Sequence, residues 1–184
     1  TNPYYDLSNF LKGARENFET LKVLKEAESL SREMVIDLLA NAWRRAELEE
    51  KFEDATARTY SAIEKTAKLR LKEEYNINTS NCDPEYIPEK IRDSYVKSYS
   101  TPKGKLKFGC VPAYHLLAEL NDKVGIYFTN NPNIKNHLEG RNNSILAHGT
   151  QAIDKSKFEA LFNDALALLR IEIKDLPQFP KFKT

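Results

Sequence analysis

The sequence predicts an all-α helical bundle. Apolar residues recur at i, i+3, i+4 and i+7 through most of the chain, the spacing of one buried helix face. The 184 residues hold only six glycines, and long stretches hold none. The residues that break helices gather mainly between 76 and 111 and in the tail, which leaves the periodic segments whole.

Taken in order, the first periodic segment runs from about Phe10 to Leu30. The next opens near Ser31 and carries Val35, Leu38, Leu39, Ala42 and Ala46 down one side. A third spans Phe52 to Tyr75, with Phe52, Thr56, Tyr60, Ile63 and Ala67 in register. The run "VPAYHLLAELNDKVG" reads as one helix with Pro112 in its first turn, where a missing N–H costs nothing, and presents Leu116, Leu117, Leu120 and Val124. The last long helix follows Asp154 and Ser156. Ser156 and Glu159 have capping-box spacing, and Phe158, Leu161, Phe162, Ala165, Leu168 and Leu169 form the buried stripe.

Between residues 76 and 111 the regularity fails, because Pro84, Pro88, Pro102, Gly104 and Gly109 interrupt it. This reads as a long irregular insertion with one short helix near Glu89–Tyr99 and an extended piece near Leu106–Cys110. The tail "KDLPQFPKFKT" is expected to pack as an irregular strap or fray. The run "ANAWRRAELEEKFEDATARTYSAIE" has the rhythm of a tetratricopeptide pair, but the pattern does not return about 34 residues on, so it reads as an antiparallel helical hairpin. Residues 1–184 are expected to form a single domain.

Twenty-eight basic residues face 27 acidic ones, for a formal charge of +1. That balance argues against a general nucleic-acid coat and is silent on a local patch. Cys82 and Cys110 fit neither a disulfide framework nor a zinc spacing and read as free thiols of a reducing compartment. No apolar run approaches the ~20 residues of a membrane span, and no signal-peptide pattern opens the chain. A cytoplasmic protein without a membrane partner is expected. The chain opens on Thr1 rather than methionine, as a piece of a longer protein does.

The stretch "GRNNSILAHG" sets Arg141 and His148 around Asn142, Asn143 and Ser144. At about 100° per residue, the two would share one helix face roughly 10 Å apart along the axis. A permanent cation and an imidazole on one face make an anion site, and a phosphodiester-cleaving one is within their chemistry. Arg141 alone could equally form a surface ion pair with Glu139. His148, just before Gly149, could equally meet the last carbonyls of its helix.

"RNNSILAHG" resembles the signature of HEPN ribonuclease domains: Arg, a polar residue, then His. Six residues intervene here, the upper limit of that spacing. With "LLANAWRRAELEEKFEDATARTYSAIEKTAKLRL" and "KLKFGCVPAYHLLAEL", in that order, the chain resembles the C-terminal part of CRISPR-associated CARF–HEPN proteins of type III systems from about Asp37 to Leu169. The resemblance implies an HEPN-like helical bundle that dimerises and brings two motifs to a shared cleft. It also implies metal-independent cleavage of single-stranded RNA, with no cofactor. In full-length relatives a CARF domain binds cyclic oligoadenylate and switches the nuclease on. No segment here has the strand–helix alternation of a CARF domain, so the effector half alone is expected.

Such cleavage uses the substrate's 2′-hydroxyl as nucleophile. His148 is the candidate for proton transfer, since an imidazole titrates near pH ~6.5. Arg141 offers a planar fork matched to phosphate oxygens. Asn142 can orient the phosphate or the arginine, and Ser144 can add a hydroxyl donor. Glu64 is a supporting candidate that either orients Arg141 or Asn142, or pairs with Lys68 at i+4. His137 is placed to edge the cleft, and His115 reads as packed or half exposed. No acidic residue occurs from Ser94 to Ala118, where Lys97, Lys103, Lys105 and Lys107 interleave with Tyr95 and Tyr99. Such a loop can grip single-stranded RNA by charge and stacking, or simply hold solvated lysines. Trp43 reads as core or dimer interface. Two rival readings stay open: a non-catalytic dimerising or RNA-binding module, and a HEPN toxin paired with a nucleotidyltransferase antitoxin.

Overall fold

The computed structural model describes residues 3–142 and 152–178, with side chains over 7–140 and 152–178. The elements are α1 (Pro3–Glu26), α2 (Arg32–Glu49), α3 (Phe52–Tyr75), α4 (Glu89–Tyr99), α5 (Cys110–Glu119), α6 (Lys123–Asn130), α7 (Pro132–Asn142) and α8 (Lys155–Leu169). Single 3₁₀ turns stand at Pro84–Tyr86 and Ile173–Asp175. The all-α reading holds, and no strand forms among the described residues.

The central element is α3, which packs against α2, α5 and α8. Ser31 starts α2 by accepting from the Met34 N–H. Glu50 ends α2 in the left-handed conformation, φ +52, and Phe52 begins α3 two residues later, which makes the expected hairpin. Leu39, Ile63, Leu71, Leu116, Leu117, Phe158 and Phe162 meet in the core. Trp43 stacks on Phe162 at 5.4 Å, so it is a core-edge residue. The expected stripe of α8 is buried at every position, but its capping differs from expectation. Asp154 is the N-cap, accepting from the Lys157 N–H at 2.9 Å, and Ser156 donates to the Asp154 carboxylate.

"VPAYHLLAELNDKVG" forms two helices rather than one. Asn121 takes φ +58, and Asp122 caps the start of α6 by accepting from the Val124 N–H at 2.8 Å. The physical cause is that Asn tolerates the left-handed region and Asp prefers to cap. The break lets α6 fold back onto α5, where Tyr114 stacks on Phe128 at 4.2 Å and donates to the Ile63 carbonyl.

The insertion is less irregular than expected. Its short helix spans the expected Glu89–Tyr99. The extended piece is anchored by paired backbone bonds between Cys82 and Leu106 and by Phe108 N–H to the Thr79 carbonyl. Ile77, Ile87, Leu106 and Phe108 bury themselves in the common core. Both cysteines are buried free thiols. The tail behaves as a strap through Gln178: Leu176 is buried, Arg44 donates to the Pro177 carbonyl and Asn17 to that of Gln178.

Candidate functional site

Helix α7 leads into the Arg141–His148 stretch, and apolar side chains set its seating. Ile134 and Leu138, one turn apart, are buried and hold α7 against the bundle. On the same turn, His137 Nδ1 lies 2.6 Å from Asp164 Oδ2 of α8. Burial pushes the Asp164 carboxyl above the usual aspartate value, and the His137 contact offsets part of that rise. Arg141 follows His137 by four residues in the same helix. Arg141 and Asn142 occupy its last turn. Their side chains lie outside the described residues, as do Ser144 and His148 entirely, and the expected shared face of Arg141 and His148 falls there.

Glu64 projects from α3 and pairs with Lys68 at 2.8 Å, the i+4 alternative of the sequence reading. It also stands close enough to Cys110 to act on it. Burial first, and the Glu64 charge second, push the Cys110 thiol up to about 12. Cys82, likewise buried, is pushed up to about 11. Neither thiol is a nucleophile at neutral pH.

The basic loop is only partly what its sequence suggests. Gly104 turns the chain at φ +72, and Lys103 and Lys107 are exposed around it. Lys105 is ion-paired with Asp83. Tyr95 is buried, donates to the Pro112 carbonyl at 2.6 Å and meets Tyr99 and Phe108 edge-on. Its ring faces the core, so stacking on RNA bases is not open to it, because an apolar ring with one satisfied hydroxyl gains more from burial. His115 is exposed on α5.

Two features escaped the sequence reading. Asp164 interrupts the apolar stripe in "FNDALALL", a signal that it needed a partner. The second is a cleft rimmed by Arg32, Arg70, Lys123 and Arg170, residues that the sequence scatters over four elements. Among the described residues, no group of three or more His, Cys, Asp or Glu is placed to hold a metal ion, and no helix is long and apolar enough to cross a membrane.

No curated protein and no solved structure matches the chain. The family model described as the Csm6 HEPN domain matches residues 24–172, from the end of α1 to just beyond α8 and across the whole Arg141–His148 motif. The helical bundle and this match agree: the chain belongs to the Csm6 HEPN domain family.

Proposed function

We propose that this chain is a metal-independent endoribonuclease that cleaves single-stranded RNA, the effector half of a CRISPR-linked antiviral protein. The observation that carries the reading is the family match over residues 24–172, which encloses Arg141, Asn142, Ser144 and His148. HEPN domains of this kind are in general ribonucleases, which supports RNA as the substrate.

His148 takes or delivers the proton as the 2′-oxygen forms a bond to phosphorus and the bond from phosphorus to the 5′-oxygen breaks. The 2′-hydroxyl gives up its proton, the leaving 5′-oxygen gains one, and a 2′,3′-cyclic phosphate remains. Arg141 holds the equatorial phosphate oxygens, whose charge is greatest in the crowded intermediate. Asn142 orients Arg141 or the phosphate, and Ser144 adds a donor. A single motif contains one imidazole, whereas acid and base are both needed. Two copies facing each other across a homodimer cleft provide the pair. Cyclic oligoadenylate would reach this domain through a CARF sensor rather than bind the helical bundle, and such an effector works in the cytoplasm.

The experiment is cleavage of labelled single-stranded RNA by the purified chain in EDTA, with end-group analysis. Cyclic-phosphate ends from wild type, and losses of about 10²-fold or more in His148→Ala and Arg141→Ala, are expected. Cleavage unchanged in both variants removes these residues from the mechanism. Salt-sensitive binding without turnover would instead mark a non-catalytic RNA-binding module.

A further inference from the structure

We propose that the cleft formed by the start of α2, the C-terminal half of α3, the start of α6 and the end of α8 binds one nucleotide unit of a single-stranded RNA. In naming RNA, this rests on the ribonuclease reading. The anion-binding chemistry rests on the cleft itself.

The cavity is about 200 Å³. Its rim carries Arg32, Arg70, Lys123 and Arg170, and Glu73 is the one carboxylate among its lining residues. Since Asp122 and Glu74 pair with Arg70, the positive character of the rim comes from Arg32, Lys123 and Arg170 against Glu73. Arg70 is neutralised, with its Nε 2.7 Å from Asp122 and its Nη1 3.3 Å from Glu74. That clamp fixes its guanidinium as one wall. Arg32 reaches across to the Leu169 carbonyl at 3.4 Å, which ties α2 to the end of α8. Lys123 and Arg170 make no ion pair among the described residues. Arg170 ends α8 at φ +54, a place where glycine is the common choice.

Leu69 and Leu168 belong to the lining and are buried, so the cleft joins an apolar floor to a cationic rim. A nucleotide has that division: a flat base with an apolar face and a charged phosphate. The cavity is too small for a duplex. Leu168 lies one turn beyond Asp164 on the same side of α8, about 6 Å along the axis. Asp164 in turn holds α7 through His137. The cleft and the α7 contact thus share helix α8.

The test measures anisotropy of a short fluorescein-labelled oligouridylate with the full chain in EDTA, across a salt series. The background variant is His148→Ala, so binding is read whether or not the wild type cleaves. Arg32→Gln, Lys123→Gln and Arg170→Gln together are expected to weaken binding about tenfold and to lower the salt slope by about 0.7, the share of the one phosphate the cleft holds. Lys12→Gln with Lys22→Gln on α1 is the control and is expected to change it less than about twofold. A thermal melt matched to the parent confirms that the triple variant is folded, and Lys123→Gln alone, on the exposed start of α6, gives the same direction should the triple variant melt early. A triple variant that binds like the control, with an unchanged slope, overturns the proposal. So does uridine monophosphate competing as well as the strand, which would make the cleft a free-nucleotide site. Loss of cleavage by wild type with binding intact would refute the nuclease reading and leave the cleft standing.

Discussion

His137 Nδ1 and Asp164 Oδ2, 2.6 Å apart, form the polar contact between α7 and α8 one turn before Arg141. Because burial raises the Asp164 carboxyl, the folded chain holds this proton more tightly than the unfolded one. Its contribution to stability is therefore full below the ordinary value of about 3.8 and is lost as pH rises through the raised value. Asp164→Asn is expected to remove that loss, seen as a difference between wild-type and variant urea midpoints across the same window. His137→Ala should cost about 1 kcal/mol, since both groups keep some solvent. Equal pH profiles for wild type and Asp164→Asn would contradict this account.

Asp122 works in the opposite direction. Its carboxylate is buried and accepts from Arg70 Nε at 2.7 Å, the Val124 N–H at 2.8 Å and the Tyr75 hydroxyl at 3.1 Å. Burial alone would raise it, but Arg70 and then the other donors outweigh that effect and hold it below the usual range. The stability it contributes is present above about 3.8 and is lost as pH falls through the lowered value. Asp122→Ala removes the α6 cap and leaves the half-exposed Arg70 with Glu74 alone, with an expected cost of about 2 kcal/mol in chemical denaturation. Asp122→Asn keeps the cap and should cost less.

Gly125 is required where α6 crosses α5. A Cβ there would lie 2.2 Å from the backbone nitrogen of Ala118 and 2.5 Å from the Leu117 Cβ. Backbone cannot yield as a side chain tip can, so Gly125→Ala should cost about 3 kcal/mol or more by overpacking. Thermal unfolding measures it. A melt within a degree or two of wild type would show that the two helices can part without loss.

These relationships differ in how visible they are in the sequence. Phe52–Tyr75 was readable to its ends because its apolar period is unbroken and polar residues bracket it. Glu89–Tyr99 was readable because Pro88 and Pro102 confine it. The α5–α6 break was not, because Leu120 and Val124 continue the apolar period across it. Only the pair Asn121–Asp122 betrays the turn, through one side chain that tolerates positive φ and one that caps. Helix α7 carries few apolar residues, with Ile134 and Leu138 doing the anchoring, so periodicity barely marks it. Its contact to Asp164, 27 residues on, exists only in the folded chain. The burial of Tyr95 is hidden for the same reason. A tyrosine between lysines looks solvated until Phe108 and Pro112 arrive from elsewhere in the chain. The Arg141–His148 motif is proposed from its residue types and from the family resemblance, neither of which needs the fold.

The lysine loop gives the last prediction. Lys103 and Lys107 are exposed, whereas Lys105 is held by Asp83, so the three should not contribute alike to RNA binding. Lys103→Ala and Lys107→Ala are each expected to lower affinity for single-stranded RNA about two- to fivefold and to reduce the salt slope by about 0.7. Lys105→Ala should do less, because its charge is already partnered. Asp83→Asn frees that charge and should raise affinity modestly. Anisotropy titrations at several salt concentrations rank the four variants. An order in which Lys105→Ala is the most damaging would mean that the strand displaces Asp83, and that the ion pair is a feature of the RNA-free chain alone.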